Sequence, residues 1–156
     1  MPKTRNRTAR TRADDSYLDF IRTVHLAGTG IDSSSFSIDR EKFASETSEA
    51  GAASAQISGR HEIARQDDTS FVVLGHYEIK MKGKAGSDLG QITCTLSALF
   101  SLDAQAKREF IQRFAENEVR FVFWPNLRHY VADCTYRMGI NPMLLPLTSE
   151  FSPPRP

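Results

Sequence analysis

The chain has 156 residues, of which 40% are hydrophobic and 25% charged, the balance of an ordinary globular domain. A chain of this length buries about 68–70% of its extended surface as one domain, and no apolar run approaches the ~18 residues that span a bilayer. The net charge of +1 hides an asymmetry: Lys3, Arg5, Arg7, Arg10 and Arg12 precede the first acid, Asp14, which leaves 15 bases against 19 acids in the remainder.

Residues 1–15 read as a disordered basic arm, because Thr and Arg dominate and apolar residues are scarce. No signal-peptide hydrophobic region follows it, so a cytoplasmic protein is expected. Such an arm could meet nucleic acid, but it has no aromatic residue and no nucleic-acid motif, and nucleic acid is not expected as a partner. Residues 16–151 are expected to form the domain, and 152–156 a disordered tail.

The first strand is expected over YLDFIRTVHL, with Leu18, Phe20, Val24 and Leu26 alternating around an interruption at Arg22. Gly28 to Ala53 is rich in Ser, Gly, Ala and Glu and reads as mostly loop, with a short strand piece at Phe36 and Ile38. AQISGRHEIA forms a second strand through Ala55, Ile57 and Ile63. Phe71, Val73, Tyr77, Ile79 and Met81 fall on one face of a third, and Ile92, Cys94, Leu96, Ala98 and Phe100 on one face of a fourth. Period-2 alternation with one polar face is the pattern of an antiparallel sheet covered on one side. KGKAGSDLG between them has hairpin-loop residues.

Two helices follow. Asp103 is a suitable N-cap for Ala104 to Glu116, with Phe110, Ile111 and Phe114 as its apolar stripe. Pro125 suits the first turn of the second helix. Leu127, Tyr130, Val131, Cys134 and Met138 make its stripe, Gly139 closes it and Pro142 blocks its resumption. Four strands followed by two helices predict an α+β domain, a four-stranded antiparallel sheet with helices on one face.

No catalytic constellation accompanies these elements: there is no Gly-rich phosphate loop, GxSxG or HExxH. His129 and Asp133 share a helix face without a third ligand, and His61 and His76 read as polar residues on the wet sheet face, near Glu62 and Glu78. Cys94 and Cys134 are in no CxxC pair and read as buried thiols. Neither enzyme activity nor a metal or other cofactor is expected. Apolar surplus is the stronger theme in the last third of the chain, with Tyr136 opposite the stripe of its own helix.

The order of Trp124, Pro125, Arg128, Arg137, Gly139, Leu145 and Pro146 resembles the end of the core domain in SecB-type chaperones. There an aromatic-Pro-Tyr-x-Arg-Glu helix leads through a Gly-containing break into a Leu-x-Leu-x-Pro stretch. Asn126 and His129 depart from it, replacing the aromatic after Pro and the acid after Arg. The resemblance implies a SecB-like fold and an ATP-independent holdase that binds unfolded or labile polypeptides, either export precursors or an antitoxin. It implies a homotetramer built as a dimer of dimers. Phe110, Phe114, Phe121, Phe123, Trp124, Met143, Leu144 and Leu145 match the client-binding region. The export chaperone continues into a second helix and a tail that docks on SecA, whereas this sequence runs into PPRP, so SecA lacks its docking element. That shape favours the toxin–antitoxin version. The alternative is an adaptor or nucleic-acid-associated protein acting through the basic arm; deleting Pro2 to Arg12 separates the two.

Overall fold

The computed structural model describes residues 15–47, 54–84 and 86–146; the basic arm through residue 14 and the PPRP end lie outside them. Helix α1 (residues 15–22) leads into β1 (Val24–Ile38), α2 (Arg40–Glu46), β2 (Ser54–Gln66), β3 (Ser70–Lys82), β4 (Asp88–Leu102), α3 (Arg108–Asn117) and α4 (Val119–Arg137). The strands form one antiparallel sheet in the order β1-β4-β3-β2. Three hairpin-linked strands with β1 brought alongside the last make a Greek-key arrangement.

The predicted fold class holds. Along β3, buried and half-buried residues alternate strictly, because successive side chains point to opposite faces. Phe71, Val73, Ile79 and Met81 meet Ile92, Leu96, Ala98 and Phe100 of β4 in the core, and Ile111, Phe114, Phe123, Leu127, Val131 and Met138 cover them from the helix layer. Gly75 lies on β3 beneath Phe123 of α4: a Cβ there would sit 2.8 Å from the Phe123 ring and 2.8 Å from Tyr77. Its missing side chain leaves the room that Phe123 fills.

Helix α4 ends as its sequence predicts. Gly139 has φ +78°, its N–H donates to the Tyr136 carbonyl, and the Ile140 N–H donates to Thr135. This pair of bonds is the Schellman closure that favours glycine. The chain then runs back along the helix. Thr135 accepts from the Met143 N–H (2.8 Å), the Arg128 Nε–H donates to the Leu145 carbonyl (2.8 Å), and the Trp124 Nε1–H donates to Pro146 (2.9 Å).

Five expectations need correction. The segment before Val24 is helix, not strand: Tyr17, Phe20 and Ile21 recur at helical spacing, and the first two are buried. Gly28 to Ile38 continues β1, and 40–46 is helical rather than loop, capped by Asp39, which accepts from the Lys42 N–H; residues 48–53 lie outside the described residues. Strand β1 is at the sheet edge and exposed along nearly all its length, so it carries no apolar alternation to read. Asp103 does not cap α3, which starts at Arg108; its carboxylate sits 3.0 Å from His25 instead.

Pro125 is not in a first turn either, because α4 starts at Val119 and absorbs the aromatic lead-in. The proline lies on the exposed side, where water can satisfy the Phe121 carbonyl that loses its donor. Finally, His61 is not on the wet face but turns under the helices. His76 does stay on the open face, 3.1 Å from Glu62 and 3.1 Å from Thr95. No helix among the described residues is long and apolar enough to cross a membrane.

Candidate functional site

The eight residues singled out from the sequence do not form one patch. Phe110 and Phe114 project from α3 into an aromatic cluster completed by Tyr17 and Phe20 of α1 and by Phe71 and Phe100 of the sheet, with ring centroids 5.0–6.2 Å apart. Phe123 lies on the other side of the core, against Tyr77 and His61. Trp124, Met143 and Leu145 sit where the returning tail covers α4. Of the eight, Phe114, Phe123, Trp124 and Leu145 are buried within the chain. Phe110 and Met143 are half-buried, whereas Phe121 is 69% and Leu144 78% exposed.

Helix α4 is apolar on two sides, which explains both Phe121 and Tyr136. Leu127, Val131, Cys134 and Met138 point into the core. Phe121, Pro125, Ala132 and Tyr136, at multiples of 100° that fall within about 60° of one another, form a second stripe on the opposite side. Phe121 carries the Arg120 guanidinium 5.0 Å above its ring.

Sequence reading missed the apolar line of β1. Leu26, Ile31 and Phe36 share the helix-facing side of the sheet, opposite Phe100, Leu96 and Ile92, yet each is about half exposed. Register shifts between Leu26 and Gly28, and between Ile31 and Ser33, add one residue each time. The apolar spacing therefore becomes five and hides from a period-2 search. A groove of about 290 Å³ separates this strand from α4, lined by Ile31, Leu96, Phe123, Asn126, His129 and Tyr130. A second groove, of about 610 Å³, runs between β2 and α3, past His61, Ile63, Gln66, Ala106, Arg108 and Gln112.

His61 joins β2 to the helices. Its Nδ1 is 3.0 Å from the Ala115 carbonyl and its Nε2 is 2.8 Å from the Tyr77 hydroxyl. A carbonyl only accepts, so Nδ1 carries the proton and Nε2 accepts from Tyr77. Burial holds the imidazole below the usual histidine pKa, with the Ala115 carbonyl opposing the shift. Burial also raises Cys94, to about 12, and raises Cys134 as well; both are free, buried thiols. His129 is exposed and Asp133 pairs with Arg137 at 2.8 Å. Among the described residues, no group of three or more His, Cys, Asp or Glu side chains could hold a metal ion.

No family model and no curated protein matches this sequence. Among solved structures, the chain resembles the Mycobacterium tuberculosis Rv1957 SecB-like chaperone, solved in complex with a ChAD peptide from the Rv1956 HigA1 antitoxin. The TM-score is 0.69 at 16% identity, over 83% of this chain and 94% of that one. A protein of unknown function from Streptococcus agalactiae superposes more loosely, with a TM-score of 0.45 at 6% identity over 80% and 97% of the two chains, and carries no argument. The sheet and helix layer of this chain thus have the fold of a SecB-like chaperone.

Proposed function

We propose that this protein is a SecB-like holdase that binds unfolded or labile polypeptides without ATP, with an antitoxin as the favoured client and export precursors as the broader class. The observation that carries the reading is the likeness of fold, over 83% of the chain, to a SecB-like chaperone caught with an antitoxin peptide. Exposed apolar side chains on α4, the tail and β1 support it, since extended clients offer apolar side chains and backbone hydrogen bonds together. The role is binding rather than catalysis, in the cytoplasm.

Phe110, Phe114, Phe121, Phe123, Trp124, Met143, Leu144 and Leu145 remain the assigned client region. Phe121 and Leu144 can touch a client directly, and Phe110 and Met143 in part. The four buried members shape the surface from beneath. A homotetramer built as a dimer of dimers suits the second apolar stripe of α4 and the open edge of β1. That edge has neither Lys nor Pro between Val24 and Ile38 to discourage pairing.

The test is binding of reduced, carboxymethylated α-lactalbumin against the folded protein, at low and high salt. Salt-tolerant binding of the unfolded form alone is expected. Equal binding of both forms, or binding abolished by salt, refutes apolar capture.

A further inference from the structure

Helix α1 is described over residues 15–22. Two aromatic side chains hold it down, with Ile21 packed against the core beside them. Tyr17 and Phe20, three apart and therefore on one face, are both buried, while Leu18, Asp19 and Arg22 face water. Tyr17 meets Phe110 at 5.7 Å, and Phe20 meets Phe110 at 5.7 Å and Phe114 at 6.2 Å. The Tyr17 hydroxyl donates to Glu118 Oε1 at 3.0 Å, and the Arg113 guanidinium lies 3.9 Å above the Tyr17 ring. A cation over the ring rewards an aromatic occupant over an aliphatic one.

The ion pair of Asp19 with Arg22 is internal to the helix. The chain leaves α1 at Thr23, whose N–H and hydroxyl both donate to the Phe20 carbonyl, and the ladder with β4 begins at Val24 opposite Leu102. A rotation at Thr23 could lift α1 and leave the sheet paired. Phe110 and Phe114 would then be uncovered.

We propose that α1 is an internal pseudo-client: it seats a Tyr-x-x-Phe pair on α3, and client segments carrying two aromatic residues three apart compete for that seat. This rests on the chaperone reading above and adds the chemistry of the partner, an amphipathic segment with an aromatic in the place between Arg113 and Glu118. The seat is available in proportion to the fraction of molecules with α1 lifted, so weakening α1 tightens apparent client affinity by the same factor.

The experiment uses the full chain, as wild type, Tyr17→Phe and the double variant Tyr17→Ser with Phe20→Ser. The probes are reduced, carboxymethylated α-lactalbumin and two twelve-residue amphipathic peptides, one with a Tyr-x-x-Phe pair and one with Leu-x-x-Leu in its place. Tyr17→Phe removes one hydrogen bond to a carboxylate and should tighten the aromatic peptide about tenfold; the double variant should tighten it further, and the Leu peptide should bind weakly throughout. Folded variants that bind the aromatic peptide no tighter than wild type overturn the proposal. Should the double variant not fold, hydrogen exchange on the wild type decides. The aromatic peptide should speed exchange in residues 15–22 while protecting 108–117, and unchanged exchange in α1 refutes displacement. Capture of α-lactalbumin without release of α1 sinks this proposal alone, whereas no binding of any probe removes the chaperone reading and this one with it.

Discussion

Replacing Thr135 by Val should loosen the returning tail while leaving the shape of the helix intact. Thr135 is fully buried, and its hydroxyl does two things at once. It donates back to the carbonyls of Val131 (2.9 Å) or Ala132 (3.0 Å), and it accepts the Met143 N–H at 2.8 Å. Valine keeps the volume and the β-branch but cannot accept, so the Met143 N–H loses its partner in a half-buried place. Leaving such a donor unpaired costs about 1–3 kcal/mol. Because Met143 is only half-buried, water can recover part of that, and about 1–2 kcal/mol is expected. Urea unfolding of Thr135→Val and Thr135→Ser measures it, with serine, which keeps the hydroxyl, retaining most of the stability. The Met143 amide should also exchange faster in the valine variant. A valine variant within about 0.5 kcal/mol of wild type, with an unchanged Met143 amide, would refute the view that Thr135 pins the tail.

Trp124→Ala should cost about 3–5 kcal/mol in urea unfolding, since it opens a cavity and leaves the Pro146 carbonyl without its donor. Leu144→Asp, at a residue 78% exposed, should change stability by less than about 0.5 kcal/mol and instead weaken binding of reduced α-lactalbumin. Gly75→Ala should destabilise by about 1–3 kcal/mol, because its methyl group would collide with the rings of Phe123 and Tyr77. His61 predicts a pH dependence. Its folded pKa lies below the usual histidine value, so the unfolded chain binds the proton more readily, and stability is lost as pH falls from about 6.5 toward the depressed folded value. The slope is at most about 1.4 kcal/mol per pH unit, and His61→Gln should flatten the urea midpoint between pH 7.5 and 5.5. An equal slope in the variant would assign the dependence to other groups.

The central hairpin was legible because both of its strands have neighbours on either side and a core beneath. Burial on one face enforces period 2, and β3 displays it throughout and β4 from Ile92 to Leu102. The end of α4 was legible for a different reason, since the left-handed conformation at Gly139 is a local requirement that few other residues meet. The errors fall where local signals lose to packing. Asp103 has the chemistry of an N-cap, yet it sits where β4 ends and His25 approaches. Pro125 has the chemistry of a helix start. The chain between α3 and α4, however, stays in the right-handed helical region through Glu118, and the helix accommodates a proline on its wet side.

The candidate site was legible in kind and not in place. An excess of apolar residues in the last third is plain in the sequence, and the excess does reach the surface at Phe121, Tyr136 and Leu144. Which aromatics are covered depends on elements far away in the chain. Phe110 and Phe114 are covered by α1, and Trp124 by the tail that bonds to it from Pro146. The reverse case is β1, where two bulges turn Leu26, Ile31 and Phe36 to one face at a spacing that no regular strand has. An edge strand with a half-exposed apolar line and an open ladder is costly in an isolated chain, because it invites pairing with any other strand. Such an edge is best explained by something that covers it, and the proposed assembly of copies and the proposed capture of extended clients both draw on the same exposed backbone.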